Sequence, residues 1–557
     1  MREVLKRKIS KTALITDPAQ VPEGSKWIFD FRPLLLQPES LEHIATELLT
    51  QIPHKSFQIG GMESAAIPII TALMQAAHAD GRSVTAFYVR KSRKKSGFYK
   101  AIEGNVTNEP IVLVDDLINS GSSIKKILAV LDRAQKKVSA LVTIVRFRDD
   151  NAYTFLTERS IELRSLFHID DFNLSLTPEE QYAEAAMDNA TRQWVFRSQT
   201  SSFAVVTAKS APTVTDTQVI FGSDDGHVYG LHKSTGDVAW KLKIGYLSRG
   251  KAILSSPCVY KDVCLIGAYD GKLYAVDTKT GASVWTSIAA EWIGASPAVA
   301  TKHDLVVVGL EHALVGARGS IAAFNFETGE LRWEFPMPAL THASPLYIAE
   351  HDIIVCGGNE GVLYCLAAET GALLWSFETG GGATYNYLYG YSGGDIKLAP
   401  AYDRATDTIA FSSMDGHVYT LNRSDGTCLD RFATELTDTD VRIGIYGAPV
   451  FTKSHLVFGA LDRRIYCYNT SDSSLAWSFE TSGRIFATPV CIDGYVFIGA
   501  NDGALYQLEE KTGRLVSKNI FSDRIVSKIA IEQTEDGYQV YVATDDASLH
   551  ALSFPSS

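Results

Sequence analysis

Hydrophobic positions follow two regimes along the chain. Up to about residue 189, compact apolar runs alternate with stretches of helical spacing; beyond it, short strand-like segments recur with no helix between them. In the first regime, strands are predicted at residues 25–32, 56–59, 84–89, 110–114 and 139–146, and helices at 41–52, 66–80 and 124–131. Residues 148–152 read as a turn. Strand and helix in alternation predict an α/β doubly wound, mostly parallel sheet. Residues 170–192 are polar with a helical pattern, and Pro178, Glu179 and Glu180 suit a helix start. The linker is placed there, giving domains 1–189 and 190–557.

The second regime repeats. Residues 219–231 and 263–277 each read as strand, Asp-Gly-type hairpin, strand. Eight such hairpins centre on Asp225, Asp270, Arg318, Glu360, Asp415, Asp462, Asp502 and Asp545. A Thr-Gly-type turn follows the hairpin and leads to a strand carrying Trp240, Trp285, Trp333, Trp375 or Trp477, with Asp430 and Ser517 where the tryptophan has been lost. Ser, Ala or Thr followed by Pro precedes most hairpins, as at Ser256-Pro257 and Thr488-Pro489. Four short strands at a period of roughly 40 to 48 residues make a propeller blade. The prediction is an all-β eight-bladed propeller. Its last blade lacks a final strand, and the orphan segment around Trp194 is expected to fill that place and close the ring. The tryptophans read as core.

Within the first regime one stretch stands apart. Apolar residues 111–114 run into Asp115 and Asp116, then Leu117 and Ile118, then Asn119, Ser120, Gly121, Ser122 and Ser123, and a helix follows. Small residues let backbone wrap an anion, and the amides of a first helical turn point at it. Carboxylates at the C-terminal end of a strand stand where α/β sheets bind ligands. A phosphate in the loop with a sugar diol against the carboxylates makes a coherent site. A plain capped helix after a buried strand would need only one acid and one serine.

Charge and cysteine usage narrow the classes. The net charge is −12, from 52 Lys and Arg against 64 Asp and Glu. Residues 1–190 hold 24 of each sign, so the whole excess lies beyond them. That argues against a nucleic-acid surface on the propeller. No apolar run is long enough for a membrane span, and the N-terminus lacks the apolar core of a secretory signal. A cytoplasmic protein without membrane contact is expected. All seven cysteines lie beyond residue 190, none in a Cys-x-x-Cys pair, and read as buried free thiols.

The 110–123 stretch resembles the phosphoribosyl-pyrophosphate (PRPP) loop of type I phosphoribosyltransferases. Three further stretches resemble orotate phosphoribosyltransferases in particular. Gly60, Gly61, Met62, Glu63 and Ser64 resemble their pyrophosphate-receiving loop. Arg90, Lys91, Arg93, Lys94, Lys95 and Gly97, closed by Ile102, Glu103 and Gly104, resemble their mobile catalytic loop. Residues 27–32 resemble their Tyr-x-Asp-x-Arg strand. The departure is Ser96, where the family has His. The resemblance covers about residues 10–175. It implies that PRPP seats its 5-phosphate on residues 119–123 and its ribose near Asp115 and Asp116. It implies Lys94 as the catalytic loop lysine, with Arg90 and Lys91 beside it, and Arg148 as the grip on an orotate carboxylate. It also implies Mg²⁺ on the pyrophosphate, with no metal site made by protein residues alone, and a homodimer whose loop crosses to the second subunit. A cationic loop that closes over pyrophosphate can stabilise charge on a leaving group.

The propeller repeat resembles quinoprotein-type (PQQ-like) propellers. A quinone dehydrogenase is disfavoured, because the adjacent cysteine pair of that class is absent. The expected function is PRPP-dependent transfer to a nucleobase-like acceptor, with a propeller that binds a protein partner. The alternative is a PRPP or nucleotide sensor without turnover.

Overall fold

The computed structural model describes residues 2–17, 27–90, 102–176, 189–198, 210–244, 253–312, 318–380, 385–386, 391–392, 394–434 and 444–555. The chain divides into two compact units, Met1–Asp188 with Ile520–Ser522, and Asn189–Asn519 with Asp523–Ser557. Among the described residues, no helix is long and apolar enough to cross a membrane.

The first unit is built on a five-stranded parallel sheet. Its spatial order is Ser83–Ala86, Ser56–Gly60, Ile111–Ile118, Val138–Arg146, Glu162–His168. The central strand opens with four buried apolar residues, as a strand covered on both faces should. Helices Pro38–Leu49, Ala66–Ala79 and Ser122–Arg133 each bury one apolar face. Two differences from the sequence reading have clear causes. Among the described residues of the predicted strand over 25–32, only Ile28–Phe29 is strand, paired with Leu14–Ile15, because Pro33 starts a short helix, Arg32–Leu35. The predicted strand over 84–89 splits: Ser83–Ala86 joins the main sheet, while Tyr88–Val89 turns off to pair with Ile102–Glu103.

The second unit contains eight four-stranded antiparallel sheets, the blades of a propeller. The last blade is Ala530–Thr534, Gly537–Thr544, Ser548–Pro555 and, as its outer strand, Thr191–Arg197. Trp194 lies opposite Ala551, so the orphan strand closes the ring. The tryptophans tie neighbouring blades together. Trp240 Nε1 donates to the Thr278 carbonyl at 2.7 Å, Trp285 to Phe326 at 2.7 Å, and Trp333 to Ala368 at 3.0 Å. Each indole also lies under the glycine turn of the next blade. Gly281 has φ +72°, and a Cβ there would stand 2.8 Å from Trp240. Where Asp430 replaces tryptophan, Ser473 replaces that glycine, and its hydroxyl donates to the Asp430 carboxylate.

Candidate active site

The sheet order reverses between Ser56–Gly60 and Ile111–Ile118, since chain direction proceeds outward on either side of that pair. At such a switch point the loops leaving the two strands part and leave a crevice. The two loops singled out in the sequence are the ones that leave here.

Ile111–Ile118 runs through both aspartates before the loop begins. Gly121 is the N-cap of Ser122–Arg133 at φ +78°, a left-handed conformation that glycine adopts without strain. A Cβ at Gly121 would stand 2.5 Å from the Phe155 ring, so both backbone conformation and space favour glycine. Gly121 caps with no side-chain bond, leaving the first amides of the helix for a ligand. Ser120 Oγ and Ser122 Oγ are 3.0 Å apart beside them.

Asp115 is buried at 8% exposure. Its Oδ1 accepts the Asp116 amide at 3.1 Å, and Asp116 Oδ1 accepts the Leu117 amide at 2.9 Å. Burial pushes the Asp116 carboxyl above the ordinary aspartate value, and the nearby charge of Asp30 acts in the same direction. Asp30 is itself chelated by Arg32 through bonds of 2.7 and 2.9 Å, which holds its carboxyl below the usual range.

Across the crevice, Gly60 and Gly61 allow close packing. A Cβ on Gly60 would stand 2.3 Å from Phe87, and one on Gly61 would stand 2.4 Å from Ala66 and 2.9 Å from the Val114 carbonyl. The Glu63 amide donates to the Val89 carbonyl at 2.9 Å. Arg90 joins the two stems of the cationic loop: its Nε donates to Glu103 Oε1 at 2.9 Å, and it lies 3.8 Å from Glu63. The pairing of Tyr88–Val89 with Ile102–Glu103 thus brings both loop ends to the crevice. Lys91, Lys94 and Ser96 lie outside the described residues.

Arg148 is buried at 5% exposure, and its Nε donates to Asn119 Oδ1 at 3.1 Å. Its amide donates to Tyr153 Oη at 3.1 Å, and Tyr153 Oη donates to the Ile118 carbonyl at 3.1 Å. Burial pushes the Tyr153 phenol up to about 12, so it stays a donor. The turn after Val138–Arg146 is therefore fastened to the phosphate-type loop. Tyr153 and Phe155 were not singled out in the sequence. Both follow the turn on Asp150–Tyr153 and Thr154–Thr157, elements too short to show periodicity. No group of His, Cys, Asp and Glu that could hold a metal occurs among the described residues.

Relatives match the two units separately. An orotate phosphoribosyltransferase of Bradyrhizobium sp. (strain BTAi1 / ATCC BAA-1182) is 30% identical over 154 residues, 27% of this chain and 83% of that protein. The family described as outer membrane protein assembly factor BamB matches residues 168–316, 269–442 and 414–518. The chain belongs to the orotate phosphoribosyltransferase family in its first unit and to the BamB family in its second. The BamB protein of Yersinia pestis is 28% identical over 308 residues, 53% of this chain and 70% of that protein. The solved BamB from Moraxella catarrhalis aligns with 66% of this chain and all of its own, at TM-score 0.51 and 18% identity, which shows a shared fold. The orotate phosphoribosyltransferase-type unit thus holds both loops of the crevice, and the BamB-type unit holds the blades.

Proposed function

We propose that the first unit transfers the 5-phosphoribosyl group of PRPP to a nucleobase-like acceptor, with orotate as the acceptor its relatives' name implies. The carrying observation is the run Asp115–Ser123 at the switch point, with Gly121 left-handed and the helix amides open beyond it. The 5-phosphate sits on the amides and hydroxyls of residues 119–123. Asp115 and Asp116 accept hydrogen bonds from the ribose hydroxyls. The strand end at Gly60 and Gly61 and the turn after it, with Glu63, receive the pyrophosphate. Arg148, held by Asn119, grips an acceptor carboxylate, for which a guanidinium fork is well shaped. The acceptor nitrogen forms a bond to the anomeric carbon as the bond to the pyrophosphate oxygen breaks, and the electron pair leaves with pyrophosphate. Lys94, with Arg90 and Lys91, stabilises that developing charge.

Mg²⁺ fits a donor set of carboxylates and phosphate oxygens, since it binds few protein ligands and keeps its waters. When bound it neutralises charge on the pyrophosphate. The unit acts as a homodimer whose catalytic loops cross, and the propeller binds a protein partner.

Pyrophosphate release from PRPP, measured against a panel of bases with and without Mg²⁺, tests this. Lys94→Ala should lower turnover by roughly 10²–10³-fold with little change in PRPP affinity. Ser96→His should leave turnover similar or raise it. Ser96 in place of the family His favours one second reading, a sensor. In that case the wild type releases no pyrophosphate with any base, yet PRPP still raises its melting temperature.

A further inference from the structure

Residues of all eight blades line a central channel of about 820 Å³. One position of the repeat forms a ring around it, three residues after a recurring isoleucine such as Ile253, Ile293, Ile485 and Ile525. In several blades this residue links to its neighbour. The Ala211 amide donates to Ser256 Oγ at 2.9 Å, the Ser256 amide to Ser296 Oγ at 2.8 Å, and the Ser296 amide to Ser344 Oγ at 2.8 Å. The Ala448 amide donates likewise to Thr488 Oγ1 at 3.0 Å. Having accepted an amide, each hydroxyl keeps a proton to donate.

The ring position is Ser, Ala or Thr in seven blades and lysine in the eighth, Lys528. Ile529 follows it where the other seven blades have proline. Lys528 lines the channel, and its side chain is accessible there. Among the described residues no carboxylate pairs with it. The other charged residue of the lining, Glu532, is engaged by Lys233 at 3.1 Å. Burial pulls the Lys528 ammonium below the usual lysine range. An apolar cluster including Leu398, Phe486 and Val526 borders the channel.

An unpaired ammonium in a ring of otherwise small side chains is a charge without its complement. A carboxylate entering the channel would meet that ammonium in a partly desolvated setting, where a charge-assisted hydrogen bond is strong. The small residues of the ring leave room for a slim chain. We propose that the channel receives an extended acidic peptide segment of a partner protein, with a carboxylate seated on Lys528. This rests on the reading of the propeller as a partner-binding unit and gives that reading a place and a chemistry.

Fluorescence anisotropy of the full chain with two labelled, C-terminally amidated pentapeptides tests it. Both carry glycine and alanine around a central residue, glutamate in one and glutamine in the other. The glutamate peptide should bind at least about tenfold tighter, as loss of a charge-assisted bond implies. Lys528→Ser, which installs the ring's own residue and should fold normally, should erase the preference. Lys528→Arg should keep it. Equal binding of the two peptides, or a preference that survives Lys528→Ser, overturns the channel site while leaving partner binding by the propeller intact. Binding of neither peptide also overturns the channel site. Pyrophosphate release by the same samples reports separately on the first unit.

Discussion

Aspartate occupies opposite situations in the two units. In the propeller it recurs at the hairpins and is consumed by its own hairpin. Asp270 accepts the Lys272 amide at 3.2 Å and the Tyr274 hydroxyl at 2.6 Å; Asp415 accepts the His417 amide at 3.0 Å and the Tyr419 hydroxyl at 2.6 Å. Asp462 does the same with Arg464 and Tyr466, at 3.0 and 2.5 Å. In the α/β unit, Asp116 stands beside the buried Asp115, with Asp30 close enough to oppose its ionisation. The recurring residue closes a turn. The one outside the repeat stands at a crevice where burial disfavours its charged form, as expected of a binding group.

Replacing Asp115 and Asp116 together by Asn tests that contrast most sharply. Each charge-assisted hydrogen bond is worth about 1.5–3 kcal/mol, so PRPP affinity should fall by at least about 10²-fold in calorimetry. Asp462→Asn should leave PRPP binding untouched. If both variants bind PRPP like the wild type, the aspartates of the crevice are structural after all.

The next largest effect belongs to the propeller. Trp240 is buried, lies under the turn at Gly281, and bonds to both Thr278 and Gln218. Trp240→Ala should cost about 3–5 kcal/mol and lower the melting temperature of the propeller transition. PRPP affinity should not change. A parallel loss of PRPP binding would break the division of labour between repeated and unrepeated residues.

The propeller was legible because repetition averages out local ambiguity. Gly281, Trp240 and Asp270 each carry little signal alone, yet their return at a fixed spacing predicts blades, and the orphan Trp194 strand follows from the count. The α/β unit offers no such averaging. Glu162–His168, the fifth strand, lies at the sheet edge and reads Glu-Leu-Arg-Ser-Leu-Phe-His, without clean alternation. The helix Arg2–Thr12 is short of apolar residues and buries only Leu5 and Ile9. The split of 84–89 depends on tertiary pairing with Ile102–Glu103, beyond the reach of local pattern. At the site, Asp115, Asp116 and Gly121 were legible as a motif. The pairing of Arg148 with Asn119 was not, because the two are 29 residues apart and meet only once the sheet forms.

A smaller effect should appear in pH. The folded-state value of Asp116 lies above the ordinary 3.8. Its contribution to stability is therefore present below the unfolded value and lost as pH rises through the folded one. Asp116→Asn removes that loss, so it should raise the melting temperature near neutrality while weakening PRPP binding. In the wild type, PRPP affinity should fall on acidification at a pH above that at which an ordinary aspartate protonates. A neutral-pH melting temperature that drops in Asp116→Asn would contradict the raised value.

The smallest effect tests how the crevice is held together. Tyr153 is 1% exposed and does not line the loop, yet its hydroxyl joins the Arg148 amide to the Ile118 carbonyl. Tyr153→Phe keeps the ring in the core and removes both bonds. Leaving a buried amide unsatisfied costs about 1–3 kcal/mol, part of which will appear as lost stability. A purely structural role would end there. If Tyr153 positions Arg148, the turn that carries the guanidinium is no longer pinned to the end of Ile111–Ile118, and the acceptor should bind less well than PRPP does. The expected result is a rise of several-fold in KM for the acceptor, with kcat and KM for PRPP close to wild type. Steady-state assays with PRPP and orotate each varied at saturating levels of the other would show it. Equal rises in both KM values would assign Tyr153 to the scaffold, and Arg148 would lose its proposed link to the acceptor.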